Sequence, residues 1–343
     1  MGMGQGTDKV IFIVGNSRSG TTMLGRILGA HNEIYTFEEL HFFENLVDDA
    51  AVINRPALTK EQARLLVIRL LTSARINIFA VPRVDEYAAE ANKIVESVLD
   101  IDAVTLYRAT LIYEVLLQGK KIACEQTPRY LFSLSEIFSV FPNARVINLI
   151  RDPRDVMLSQ KKKWHTYFHG SWNMPIYEAV RVWANYHPIL IGKLWRACVY
   201  QAEKFRDDRR VLSVRFEDLV MDPEASVRKI CSHVGVAFDE LMLDIADIGS
   251  SIKKDQPGVF GINKNAAARW KQGGLTDTEL AICSIECGDK MVDYGYSASL
   301  VNYAEMRRFF AFPSLVLKAG LSLALNISRN KNIVSAIKKR FLS

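Results

Sequence analysis

Apolar residues recur along the chain in two rhythms. Val10 to Val14 (VIFIV) is a continuous, β-branched run ending at Gly15, the pattern of a strand buried on both faces. Small polar residues follow, and from Thr22 to Leu28 (TMLGRIL) apolar positions fall at helical spacing. The same unit recurs where Ala144 to Ile150 (ARVINLI) leads into Arg151-Asp152-Pro153-Arg154-Asp155. Pro153 suits the first turn of a helix, where its missing N–H costs nothing, and Asp152 suits the cap before it. Further strands are predicted at Lys121 to Cys124 and Val211 to Val214, and helices near 59–73, 86–98, 103–118, 129–139, 175–206, 223–233 and 276–289. Strands alternating with helices predict an α/β fold, a P-loop-like central parallel sheet flanked by helices.

No internal repeat and no Gly/Ser or Pro linker divides the chain. Residues 1–300 therefore read as one domain with a helical insertion over about 50–118. Asp255 to Asn265 (DQPGVFGINKN) reads as a loop able to fold over a ligand, and 164–175 (WHTYFHGSWNMP) as a loop bordering an acceptor pocket. Residues 301–343 differ in kind. Phe309 to Ile327 has the length of a membrane span, but Pro313 and Lys318 interrupt it. A helical, basic, amphipathic extension is expected instead, packed on the domain or on a second subunit as a homodimer, or lying on a membrane surface.

Composition narrows the class. With 49% hydrophobic and 24% charged residues in a 343-residue chain, a folded globular core is expected and extended disorder is excluded. A net charge of +6 suits an anionic ligand or surface. Nucleic acid is not an expected partner, because the basic residues show no aromatic-basic module. Five scattered cysteines without a CxxC pair read as reduced core thiols, and no zinc site is legible. The first residues carry no signal pattern, so a cytoplasmic location is expected, peripheral at the membrane if the C-terminal extension binds there.

Chemistry concentrates at Gly15-Asn16-Ser17-Arg18-Ser19-Gly20-Thr21-Thr22. The spacing is that of a Walker loop, but Thr21 stands where the nucleotide-binding Lys belongs. Small residues between strand and helix let backbone N–H groups converge on an anion, and the helix N-terminus adds positive potential. Arg18 would supply the missing cation and, as a fork, can bind two oxygens. Alone, the loop also fits a degenerate kinase or nucleotidase using ATP and magnesium.

A second motif decides between these readings. SRSGTT near the N-terminus and RDPRDVxxS at 151–159 together resemble the two donor-binding motifs of the sulfotransferase superfamily that uses 3′-phosphoadenosine 5′-phosphosulfate (PAPS) and releases 3′-phosphoadenosine 5′-phosphate (PAP). Glu125-Gln126-Thr127-Pro128-Arg129, Phe141 to Arg145, Arg215 to Leu219 and Arg269-Trp270 follow the family's EKTPR-like, FPxAR, RYEDL-like and RW segments. The likeness is greatest to the branch with tyrosylprotein sulfotransferases and bacterial relatives. It implies transfer of a sulfuryl group to a hydroxyl acceptor, a lipid, glycolipid, carbohydrate or small metabolite, without a metal. It further implies donor contacts from Ser17, Arg18, Ser19, Gly20, Thr21, Thr22, Arg151, Ser159, Phe216, Lys264, Arg269 and Trp270.

In that branch a glutamate 21 positions after the loop arginine is the proposed base, which matches Glu39 here; His41 is a second candidate. Either group could take the acceptor's proton. Two positions depart from the pattern. The lysine of the EKTP-like segment is Gln126, so a cation would have to come from Arg129 or Lys264, and the tyrosine of the RYEDL-like segment is Phe216. A non-catalytic relative of the fold is the remaining alternative.

Overall fold

The computed structural model describes residues 9–47, 49–78, 80–164, 176–245, 261–297 and 304–326. Strands β1 (Val10–Gly15), β2 (Ile34–Phe37), β3 (Ile122–Gln126), β4 (Arg145–Ile150) and β5 (Val211–Arg215) form one sheet in the order β2-β3-β1-β4-β5. Each pairing is parallel, as expected for strands alternating with helices.

Around the sheet lie α1 (Thr21–Gly29), α2 (Asp49–Asn54), α3 (Lys60–Arg75), α4 (Val84–Glu96), α5 (Ala103–Leu117), α6 (Leu134–Val140) and α7 (Pro153–Lys162). They are followed by α8 (Ile176–Ala184), α9 (Pro188–Glu203), α10 (Phe216–Met221), α11 (Pro223–Val234), α12 (Asp277–Asp293) and α13 (Ala304–Asn326).

β1 is buried at every position, and alternate residues serve opposite layers. Phe12 and Val14 join Phe37, Tyr107, Tyr130 and Phe141, whereas Ile11 and Ile13 join Leu24, Ile27, Val227 and Ile230. Each such side chain contributes about 1.5–3 kcal/mol on burial, so this strand ties both cores together. After β3 the chain crosses to the far side of β1 to begin β4. That reversal opens a crevice beyond the carboxyl ends of β1 and β4, where open parallel sheets bind ligands. Gly15 sits at this point with φ 147°, and a Cβ there would lie 2.4 Å from the Leu149 carbonyl oxygen.

Several elements differ from expectation. The helix predicted over 175–206 is two, α8 and α9, because Pro188 cannot continue a helix and instead opens a new one. His187 caps it, its Nδ1 accepting from the Ile189 N–H at 3.3 Å. The stretch near 129–139 begins as a 3-10 turn, Pro128–Ser133, before α6. β2 was not anticipated, since four residues (IYTF) are too few to show a period. In the last helix Pro313 does not end the run, and α13 passes through it. All five cysteines are buried and none forms a disulfide. The expected loops over 165–175 and 255–260, and the tail over 327–343, lie outside the described residues.

Candidate functional site

The carboxyl ends of the strands deliver the site's side chains. Beyond β1 the chain turns through Asn16 to Gly20 into α1, whose N-terminus has no side-chain cap and no acidic residue in its first turn. Its orphan N–H groups are therefore left for a ligand. Arg18 adopts φ 75° and Gly20 φ 96°. A Cβ on Gly20 would lie 2.4 Å from the Phe216 ring. Ser17 is half-buried, while the Ser19 hydroxyl is buried and has no hydrogen-bond partner. Thr21 is buried, its Oγ1 accepting from Gln126 Nε2 at 3.2 Å, and Thr22 is exposed.

The second motif meets this loop directly. Arg18 Nε donates to Ser159 Oγ at 3.1 Å across 141 residues of sequence. Arg151 donates from Nη1 to the Arg18 carbonyl at 3.2 Å and from Nη2 to the Ala266 carbonyl at 2.7 Å. Its guanidinium lies over the Phe216 ring, 4.2 Å from the centroid. Phe216 therefore contributes a flat face that supports Arg151 and presses on Gly20, a role a missing hydroxyl does not touch. Arg151 Nε is buried without a partner. Burial pushes the Arg151 pKa down, opposed by the charges of Asp155 and Glu217 and reinforced by Arg269. Uncapped N–H groups, the unpartnered Ser19 hydroxyl and the unpartnered Arg151 Nε all fit an anionic ligand.

The 264–270 segment covers Arg151. Besides the Ala266 carbonyl, Trp270 places its backbone N–H 2.8 Å from Asp155 Oδ1 and its ring 3.8 Å from the Arg154 guanidinium. Arg154 is forked onto Asp152, with Nη2 at 2.7 Å from Oδ2, and so braces the motif from within. Arg269 donates to the Asn265 carbonyl at 3.1 Å, and Lys264 is exposed.

Beyond β2, Glu39, His41 and Glu44 form a triad. His41 Nε2 lies 2.8 Å from Glu39 Oε2 and Nδ1 lies 2.7 Å from Glu44 Oε2. Burial pushes the imidazole toward neutrality, but the two carboxylates outweigh it and raise its pKa to about 9. At neutral pH His41 is thus a clamped imidazolium with both nitrogens engaged. Glu39 is 45% exposed and keeps its other oxygen clear of His41.

Sequence reasoning missed Lys163, one helical turn past Ser159. Burial and the Arg18 cation push its pKa down to about 8, with the Glu39 charge opposing and Arg129 and Arg181 reinforcing. A basic residue four positions after Ser159, at the C-cap of α7, was the available signal. Glu125, on β3, is fully buried, and burial raises its carboxyl to about 8 against hydrogen bonds from Thr127 and Tyr130. Among the described residues no group of three or more His, Cys, Asp or Glu is arranged to hold a metal.

Residues 10–240 match the model of the sulfotransferase family. The omega-hydroxy-beta-dihydromenaquinone-9 sulfotransferase of Mycobacterium bovis is 25% identical over 262 residues, 69% of this chain and 65% of that protein. Protein-tyrosine sulfotransferase 1 of Danio rerio is 22% identical over 275 residues, 76% of this chain and 65% of that one. The chain thus spans just under two thirds of the length of these relatives. Among solved structures, the sulfotransferase domain of the Synechococcus PCC 7002 olefin synthase superposes with a TM-score of 0.51 at 21% identity, over 87% of this chain and 98% of that one. It shares the fold.

Proposed function

Since the chain belongs to the sulfotransferase family, we propose that it transfers a sulfuryl group from PAPS to the hydroxyl of an acceptor. The observation that carries this reading is the meeting of the two motifs, Arg18 on Ser159 at 3.1 Å, with Arg151 bonded to the same loop. In this assignment the 16–22 loop and the positive end of α1 hold the 5′ end of the donor, while Arg151 and Ser159 hold its 3′-phosphate. Ser17, Ser19 and Thr22 add donors to the loop, and Arg269 and Trp270 close the site from above.

The acceptor oxygen attacks sulfur in line. A new O–S bond forms as the bond from sulfur to the nucleotide phosphate oxygen breaks, and the acceptor's proton passes to Glu39. His41 serves as a positioning residue, because an imidazolium held between two carboxylates has no lone pair to accept a proton. Arg18 and Lys163 face the charge that develops on the departing phosphate. Lys163 then takes the place assigned to Arg129 or Lys264, and Gln126 acts by fixing Thr21. The acceptor is read as an apolar molecule with a terminal hydroxyl, on the strength of the 25%-identical relative named for a hydroxylated dihydromenaquinone.

Titration calorimetry with PAP against ATP–Mg²⁺ tests the donor, and mass spectrometry of acceptors incubated with PAPS tests the transfer. PAP is expected to bind more tightly, and an acceptor to gain one sulfuryl group. Tighter binding of ATP–Mg²⁺ would assign the site to a kinase or nucleotidase, and PAP binding without any product would leave a non-catalytic relative.

A further inference from the structure

The outer face of α13 has a chemistry the fold leaves unexplained. Three of its polar side chains bond to the domain: Ser314 meets His187 Nε2 at 3.0 Å, Lys318 donates to the Tyr186 carbonyl at 3.2 Å, and Ser322 donates to Asn185 Oδ1 at 2.6 Å. Three large apolar side chains turn outward, Val316 59%, Leu317 74% and Leu321 38% exposed. An ordinary surface helix does the reverse. The patch continues onto α8, where Tyr177, Val180 and Trp183 are 43%, 42% and 39% exposed. Tyr177 ties the two helices together by donating to the Leu325 carbonyl at 2.7 Å.

Basic groups border this patch. Lys318 Nζ lies 4.1 Å from the centre of the Trp183 ring. Beside it is a cavity of about 400 Å³ lined by Lys161, Lys162, Lys318, Trp164 and Trp183, with Glu279 pairing Lys161 at 2.7 Å. The sequence that follows α13, 327–343, carries Arg329, Lys331, Lys338, Lys339 and Arg340 and no acidic residue.

We propose that the α8–α13 face docks on a lipid bilayer bearing anionic headgroups. Val316, Leu317 and Leu321 then enter the acyl boundary, Trp183 and Tyr177 sit at headgroup depth, and the basic border meets lipid phosphates. A second copy of the chain fits less well, since a two-fold contact through this face would bring the basic borders together. The helix lies on the membrane and does not cross it, for no helix among the described residues is long and apolar enough to do so. This docking does not depend on the donor chemistry.

The test is flotation of the full chain with phosphatidylcholine vesicles, with and without phosphatidylglycerol, alongside tryptophan fluorescence. The expected result is binding to the phosphatidylglycerol vesicles with a blue-shifted emission, weakened by salt. Leu317→Glu and Val316→Glu should each lower binding by about tenfold or more while leaving the melting temperature unchanged, because both side chains are already in water. Leu99→Glu, at a fully exposed position in the α4–α5 connection, should bind as the parent does. Failure of the parent to float, or undiminished flotation of Leu317→Glu, would overturn the proposal. A dimer that Leu317→Glu splits into monomers in sedimentation would assign the face to a second copy.

Discussion

Arg151 is 8% exposed, and each of its polar contacts is with its own chain. A buried guanidinium of this kind is maintained by partners that a ligand can replace. Arg151→Ala is expected to weaken PAP binding by about 2–3 kcal/mol, roughly 30- to 150-fold, measured by calorimetry. Glu39→Gln should leave that affinity within about twofold and lower kcat by about 100-fold or more; unimpaired turnover in this variant would remove Glu39 as the base. Arg18, Arg151, Ser159 and Glu39 could be named as candidates from sequence because each sits at a fixed offset inside a local motif. Lys163 was not among them, since its depressed pKa comes from burial and from the Arg18, Arg129 and Arg181 cations, with Glu39 opposing, surroundings that only the folded chain assembles around it. Phe216 was read as a lost hydroxyl, although its worth lies in the ring it lays beneath Arg151.

At the scale of elements, the strand–loop–helix unit works because its backbone is shaped for close approach. Gly20→Ala forces a side chain into a left-handed conformation and against the Phe216 ring, so a loss of roughly 1–3 kcal/mol of stability is expected, read from denaturant unfolding. Because Phe216 also carries Arg151, the same variant should bind PAP more weakly than its stability loss alone explains. The long helices were legible from their periodicity. Their interruptions were less so: the apolar period persists through Pro188, which hid the break between α8 and α9, and β2 lacked the length to declare itself.

The whole molecule joins these parts through buried polar groups. Glu125 receives hydroxyl hydrogen bonds from Tyr107 on α5 and from Thr127, and Tyr130 in turn accepts the Phe42 N–H at 2.6 Å. Its carboxyl titrates near 8, above the usual range, because burial favours the neutral form. Its contribution to stability is therefore complete below the ordinary carboxylate pKa and is lost as pH rises through about 8, at up to about 1.4 kcal/mol per pH unit. His41, raised to about 9, acts in the same sense at higher pH, while Lys163, lowered to about 8, acts oppositely above that value. The melting temperature is expected to fall between about pH 5 and 8, and Glu125→Gln should flatten that slope. A profile unchanged in Glu125→Gln would show that the carboxyl is ionised in the fold. Alternation of strands and helices made the parallel sheet foreseeable, but the order β2-β3-β1-β4-β5 depends on crossings that no local pattern records.

The bond from Arg151 to the Ala266 carbonyl bears on how a ligand's affinity is set. A phosphate that takes this nitrogen gains an ion-pair hydrogen bond and releases the weaker one from the guanidinium to a neutral carbonyl, so capture is an exchange of partners, and the net affinity is smaller than the gross attraction. Release is eased by the same margin, because the carbonyl stands ready to take the arginine back. In the proposed transfer, a site built in this way would discriminate between ligands while keeping a spent nucleotide from lingering.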